Sequence, residues 1–205
     1  MYTPKPFTIT DSQIINQIIY DNSFATLISG KESSLTATHI PLLLNPSEQA
    51  LFGHMARQNP QGEALDDQDV LAIFHGPHTY ISPSWYETNK SVPTWNYISI
   101  HVYGKASLVK DENELRNSLD DLILKYEGKD SPFFLKNMDV KYIDALIKGI
   151  IGIKIKITKL EATAKLSQNH SLERKNLVIQ ALEKQKDQSA NEIAKWMRDT
   201  LNANI

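Results

Sequence analysis

The sequence predicts a mainly β protein of the α+β class: an antiparallel barrel or sandwich with flanking helices and a helical C-terminal extension. Three observations predict it. Five or six strand-like segments follow one another in hairpin-like succession, not in strand–helix–strand alternation. Within Gly149–Ala162, the isoleucines at 151, 153, 155 and 157 alternate with glycine or lysine, the period of a strand with one buried face. From Ser171 onward the pattern turns helical, so residues 1–160 read as the β domain and 161–205 as the extension.

Taken in order, Thr10 and Gln13 have capping-box spacing, and Ile14, Ile15, Ile18 and Ile19 form an apolar stripe that should end near Asp21–Asn22. Ser23–Gly30 reads as a buried strand turning at Gly30–Lys31, with Ser34–Asn45 as its hairpin partner. Asn45–Ser47 is a turn and Ala50–Ala56 a third strand, and Asn59–Pro60 breaks the chain into a short helix or loop. Val70–Gly76 is a further strand, after which Gly76–Pro77 should turn. Trp95–Val109 is a long strand, Asp111–Tyr126 an amphipathic helix and Val140–Lys148 another. The tail helix should break near Lys186–Gln188 and restart on a Ser189/Glu192 capping box.

A chain of 205 residues can bury one good core. It contains no cysteine, which excludes disulfides, thiolate metal sites and a cysteine nucleophile, and suits a reducing compartment. The first residues lack a basic stretch followed by an apolar one, so no signal peptide is expected. The apolar runs are too short to span a bilayer, and the expected location is cytoplasmic. A net charge of −2 supplies no global basic field for nucleic acid. DNA binding is therefore not evident.

No phosphate-cradling, dinucleotide-binding, nucleophile-elbow or zinc-protease motif occurs, and eight glycines are too few for a glycine-rich phosphate loop. An anion site would need a helix N-terminus or side-chain donors. Gly53–Gln61 offers both: His54 ends a strand, and Arg57 and Asn59 sit on a turn that exposes backbone N–H groups. A surface arginine and a strand histidine explain the same residues. Thr38 and His39 precede Pro41 in a strand, which marks an edge, a bulge or a point where a ligand meets backbone. His75–His78 reads as a turn rather than a metal pair, because no carboxylate completes a ligand set, and no metal site is expected.

Between His75 and Lys105 the chain crowds two of its three tryptophans, four of its eight tyrosines and three of its six histidines. Such rings make a core, an interface or the wall of a pocket for a flat ligand, and composition does not choose among them. In Lys165–Ser171, Ser171 is a helix N-cap, which is enough to explain that stretch.

The segments MYTPKPF, NSFATLIS, ATHIPLLL, GHMARQNPQ, FHGPHTYISPSWY, VPTWNYISIHVYGKA and KLSQNHS, in this order over nearly the whole chain, resemble the PaiB family, described as FMN-binding negative transcriptional regulators. The resemblance implies an FMN-binding split β-barrel, a homodimer, and FMN at the subunit interface. It implies that the rings line that cleft and interface. His54, Met55, Arg57 and Asn59 would lie nearest the phosphate. Thr38, His39 and Ile40 would meet the edge of the isoalloxazine, and Tyr80, Ser82, Trp85 and Trp95 would line the ring side, some from the partner subunit. The resemblance leads one to expect arginine where this chain has His170, whose charge would vary with pH here.

Against the regulator reading, no helix-turn-helix is evident, and the cations Arg174, Lys175, Lys184, Lys186, Lys195 and Arg198 are interspersed with acids. Three other readings stay open: a flavin-dependent oxidoreductase using a nicotinamide cofactor, a haem-binding split barrel with His39, His54 or His78 as axial ligand, and a dimer without ligand.

Overall fold

The structure, a computed structural model, describes residues 1–31 and 34–203. Its strands are β1 (Phe24–Lys31), β2 (Ser34–Asn45), β3 (Ala50–Ala56), β4 (Asp69–Ile81), β5 (Thr94–Leu108) and β6 (Ile150–Lys165). Its helices are α1 (Ser12–Asp21), α2 (Pro60–Ala64), α3 (Glu112–Glu127), α4 (Val140–Ile147), α5 (Leu172–Glu183) and α6 (Gln188–Ala203). The strands form a closed barrel in the order β1-β2-β3-β6-β5-β4, the barrel of the two antiparallel arrangements expected, with the non-sequential pairs β1–β4 and β3–β6 closing it.

The long strand β2 is shared between two neighbours. Ser34–Pro41 pair with β1 and Leu42–Asn45 with β3, so the first part of β2 has no β3 partner. The change-over falls at Pro41, which has no N–H to give a ladder. There Gly53 of β3 comes so close that an added Cβ would stand 2.6 Å from the Pro41 carbonyl oxygen. Period-2 alternation is realised in β6, where Ile151, Ile153 and Ile155 are buried and Lys154 reaches out to Glu48 and Glu114.

The chain divides into two compact units. One comprises Met1–Ile15, His75–Ile100 and Glu161–Ile205; the other comprises Asn16–Phe74 and His101–Leu160. In the second, Leu115 of α3 packs with Ile143 and Ile147 of α4, and α3 ends at Gly128, whose φ of 82° favours glycine.

Four details differ from expectation. Strand β4 does not turn at Gly76–Pro77 but runs on to Ile81, and just past the proline the Ser189 side chain takes both backbone groups of His78. Strand β1 continues through Gly30 and Lys31, and the connecting residues 32 and 33 lie outside the described residues. Helix α1 is capped by Asp11, whose Oδ1 accepts from Gln13 and Ile14 N–H, and not by Thr10. Helix α6 is capped by Asp187, which accepts from Ala190 N–H at 2.7 Å, leaving Ser189 free for other work. In the last two cases the aspartate directly before the observed helix supplies the acceptor.

Candidate functional site

At the corner from β3 into α2, Asn59 caps the helix. Its Oδ1 accepts from Gln61 N–H at 3.0 Å, and its Nδ2 donates to the Thr38 hydroxyl of β2 at 3.1 Å. This one amide brings together two residues that the sequence singled out separately. The Thr38 hydroxyl, accepting that bond, keeps its own proton to donate. Arg57 is exposed. Its Nε donates to Lys148 O and one Nη2 hydrogen to Ile150 O, both at 2.8 Å, while its backbone N–H goes to Gly149 O. It thus binds the carbonyls at the exit of α4, and three of its five N–H donors face away from these bonds.

Of the turn's backbone donors, the N–H groups of Arg57, Asn59, Gln61 and Gly62 are taken within the protein, and that of Gln58 has no partner among the described residues. Donors for an anion at this corner are the remaining N–H of Arg57, the hydroxyl of Thr38 and the Gln58 N–H.

Beside α2 opens a recess of about 330 Å³ lined by Ser29, Gly30, Ser34, Thr36, Pro60, Gln61 and Ala64. Gln61, 2% exposed, spans its floor: Nε2 donates to Leu27 O, Ser29 Oγ and Thr36 O, while Oε1 is buried without a partner. Sequence reasoning passed over Gln61. A glutamine just inside a helix, after an Asn-Pro cap, was the available signal.

His54 is half-buried on β3. Burial holds its imidazole below the usual histidine range, so it is neutral at pH 7. Met55 and Ile40 are core residues, 4% and 5% exposed, and leave only backbone for a ligand. His39 is exposed, with Nδ1 3.0 Å from the Thr26 hydroxyl and its ring 6.2 Å from that of Phe24.

The other unit holds the rings. Trp95 meets Tyr80 edge-on at 6.2 Å and His78 at 6.1 Å, and Trp95 and Tyr80 stand about half exposed. Ser82 caps the 3-10 turn Pro83–Trp85, accepting from Ser84 N–H. Asn96, fully buried, donates to Ser167 Oγ at 3.0 Å and so joins the VPTWNY and KLSQNHS segments. Period 2 from Ile98 and Ile100 places Asn96 on the buried face, a signal in the sequence that went unused. Ser171 caps α5 as expected. Among the described residues no three histidines or carboxylates gather to hold a metal ion, and no helix is long and apolar enough to cross a membrane.

A closed six-stranded antiparallel barrel with a capped corner after its third strand is the split-barrel fold of flavin-binding proteins. Solved structures bear this out at the level of fold. The FAD and haem binding protein from Mycobacterium smegmatis aligns with a TM-score of 0.61 at 13% identity, over 77% of this chain and 73% of its own. The flavocytochrome Anf3 from Azotobacter vinelandii aligns with a TM-score of 0.60 at 14% identity, over 77% and 69%. In sequence, the family described as "Putative FMN-binding domain" matches residues 1–159. The "Protease synthase and sporulation protein PAI 2" of Bacillus subtilis is 38% identical over the full length of both chains. An uncharacterised protein of Emericella nidulans is 32% identical over 82% of this chain and 84% of its own. The chain belongs to the PaiB family of FMN-binding-domain proteins. FMN is the cofactor of that family.

Proposed function

We propose that this protein is a PaiB-like, FMN-binding negative regulator of transcription that acts as a homodimer. The observation that carries the flavin part is the Asn59–Thr38 bond at the β3–α2 corner. It ties a donor hydroxyl to Asn59, two residues along the turn from Arg57. Arg57 keeps three N–H groups beyond its two carbonyl bonds, in the unit that also holds a hydroxyl-lined recess. In this reading Arg57 and Thr38 hold the phosphate, with His54 neutral nearby. The backbone edge at Thr38–Ile40 meets the polar rim of the isoalloxazine, and in the homodimer Tyr80, Ser82, Trp85 and Trp95 line the ring side, some of them from the partner subunit. When bound, FMN supplies redox chemistry that no side chain here provides. The protein's part is placement, exclusion of water and electrostatics. The homodimer is supported by Phe24 and Leu35, 65% and 79% exposed on the β1–β2 hairpin, which offer apolar surface for a second copy.

A second reading, a flavin-dependent oxidoreductase, is favoured by one observation. Two of the six tail cations are already paired, Arg174 with Glu87 and Arg198 with Glu183, which lowers the positive field available for DNA.

An absorption spectrum of the purified protein, followed by titration with FMN and with haemin, tests the flavin reading. A resolved flavin band and saturable binding are expected, and a Soret band on haemin with no response to FMN overturns it. Sedimentation with and without FMN tests the dimer. Retardation of DNA from the protein's own promoter region, against nicotinamide oxidation by the FMN-loaded protein, decides between regulator and enzyme.

A further inference from the structure

The segment Lys165–Arg174 fastens the aromatic stretch at four points, all within one unit. Lys165 Nζ donates to the Thr94 hydroxyl. Ser167 Oγ accepts from Asn96 Nδ2. Arg174 forks onto Glu87, with Nε 3.1 Å from both carboxylate oxygens and Nη2 2.5 Å from Oε1. The same guanidinium lies 4.7 Å over the ring of Tyr86, and that ring faces His170 at 5.9 Å. The Arg174 and Glu87 side chains are 19% and 29% exposed, well covered for an ion pair near a surface. Neither Glu87 nor Arg174 has a part in the flavin site as drawn above, and both act on the residues next to Trp85.

We propose that Arg174 is the positioning residue of the ring wall: by clamping Tyr86 and Glu87 it sets Trp85 and the turn that begins at Ser82. This rests on the flavin reading, since it gives the wall its purpose. The clamp is made of a planar fork, a bidentate carboxylate and a cation over a ring, each of which demands one orientation of the guanidinium. A lysine can supply the charge but not the fork.

His170 makes the clamp sensitive to acid. Arg174 Nη1 stands 3.4 Å from His170 Nδ1, so that nitrogen must be the acceptor of a neutral ring. The groups facing it are Arg174, Glu87, Lys165, Lys175 and the ring of Tyr86. Burial and then Arg174 hold the imidazole below its ordinary value, Lys165 and Lys175 add to this, and Glu87 opposes. Protonation removes the acceptor and sets cation against cation. The clamp is therefore whole above the ordinary histidine value and loosens as pH falls through the lowered one.

The test follows two readouts on the full chain. The first is trypsin cleavage after the exposed Lys90, located by mass and normalised to a small peptide substrate. In Arg174→Gln this cleavage should quicken about tenfold with the melting temperature nearly unchanged, and Arg174→Lys should restore part of the protection. The second is FMN affinity, which should weaken about tenfold in Arg174→Gln and less in Arg174→Lys. As pH is lowered from about 7.5 through and below the ordinary histidine range the parent protein should lose protection at Lys90, and His170→Gln should not. Unchanged cleavage in Arg174→Gln overturns the clamp, as does cleavage that quickens equally at every exposed lysine. If cleavage quickens but FMN affinity holds, Arg174 does not position the wall and the proposal falls. If the parent protein binds no FMN, the flavin reading falls on its own, and the cleavage result alone decides whether the clamp exists.

Discussion

The Ser189 hydroxyl stands in for a strand. Its Oγ accepts from His78 N–H and donates to His78 C=O, each at 2.8 Å, so a residue of α6 satisfies both backbone groups of β4 just past Pro77. Ser189→Ala should leave both groups to water and lower stability by about 1–2 kcal/mol, while Ser189→Thr keeps the hydroxyl and most of the stability. Urea unfolding measures the loss, and faster hydrogen exchange at the His78 amide locates it.

Ser167 is buried with φ of 64°, the left-handed region, and bonds Asn96. Ser167→Gly and Ser167→Ala lose the same hydroxyl, but alanine keeps the backbone penalty. Glycine should therefore be the more stable variant by roughly 1 kcal/mol, the reverse of the usual order for these two residues. A pair of thermal melts settles it, and equal melting points would show that the backbone there is not strained.

Arg57 is exposed, yet its removal should be felt in protein free of flavin. Arg57→Ala frees the carbonyls of Lys148 and Ile150 and should lower stability by about 1–2 kcal/mol. Chemical denaturation without FMN isolates this from any loss of phosphate binding. A variant as stable as the parent would leave Arg57 to the ligand alone.

Two imidazoles predict the response to acid. His54 is held below its ordinary value by burial, and His170 by burial and then Arg174. Their contribution to stability is whole above about pH 6.5, where the unfolded chain is also neutral at these sites. As pH falls further the unfolded chain binds the protons first, and that contribution is lost as pH passes through the lowered values. Unfolding free energy should slope upward with pH below about 6.5, and His54→Gln with His170→Gln should flatten it. Histidine-resolved NMR titration assigns the two sites.

The strands were legible because a half-buried strand writes its face into every second residue, as Ile151, Ile153 and Ile155 do. What periodicity carries is local, and what it misses is at long range. Glu87 meets Arg174 across 87 positions and His78 meets Ser189 across 111, and nothing near either residue announces its partner. Arg174 read as part of a solvated helix face for that reason. Pro77 read as a turn because the rule against proline in a strand assumes that the missing bonds come from strands. At the site, the residue types at the β3–α2 corner were visible. Which of their donors the protein had already used, such as the backbone N–H of Arg57 and Asn59, became clear only from the hydrogen bonds.

One of the two compact units is assembled from the first, middle and last parts of the chain: Met1–Ile15, His75–Ile100 and Glu161–Ile205. Thr3 bonds Thr163, and the backbone of Ile9 bonds Ala162. On the ribosome, the opening fifteen residues must therefore wait for their partners on the order of ten seconds at ordinary elongation rates. The other unit, complete at Leu160, can be finished before they arrive. A premature stop after residue 160 would thus remove no mere appendage: it would take from Pro6, Phe7 and Ile9 their neighbours Ala164, Leu166 and Trp196.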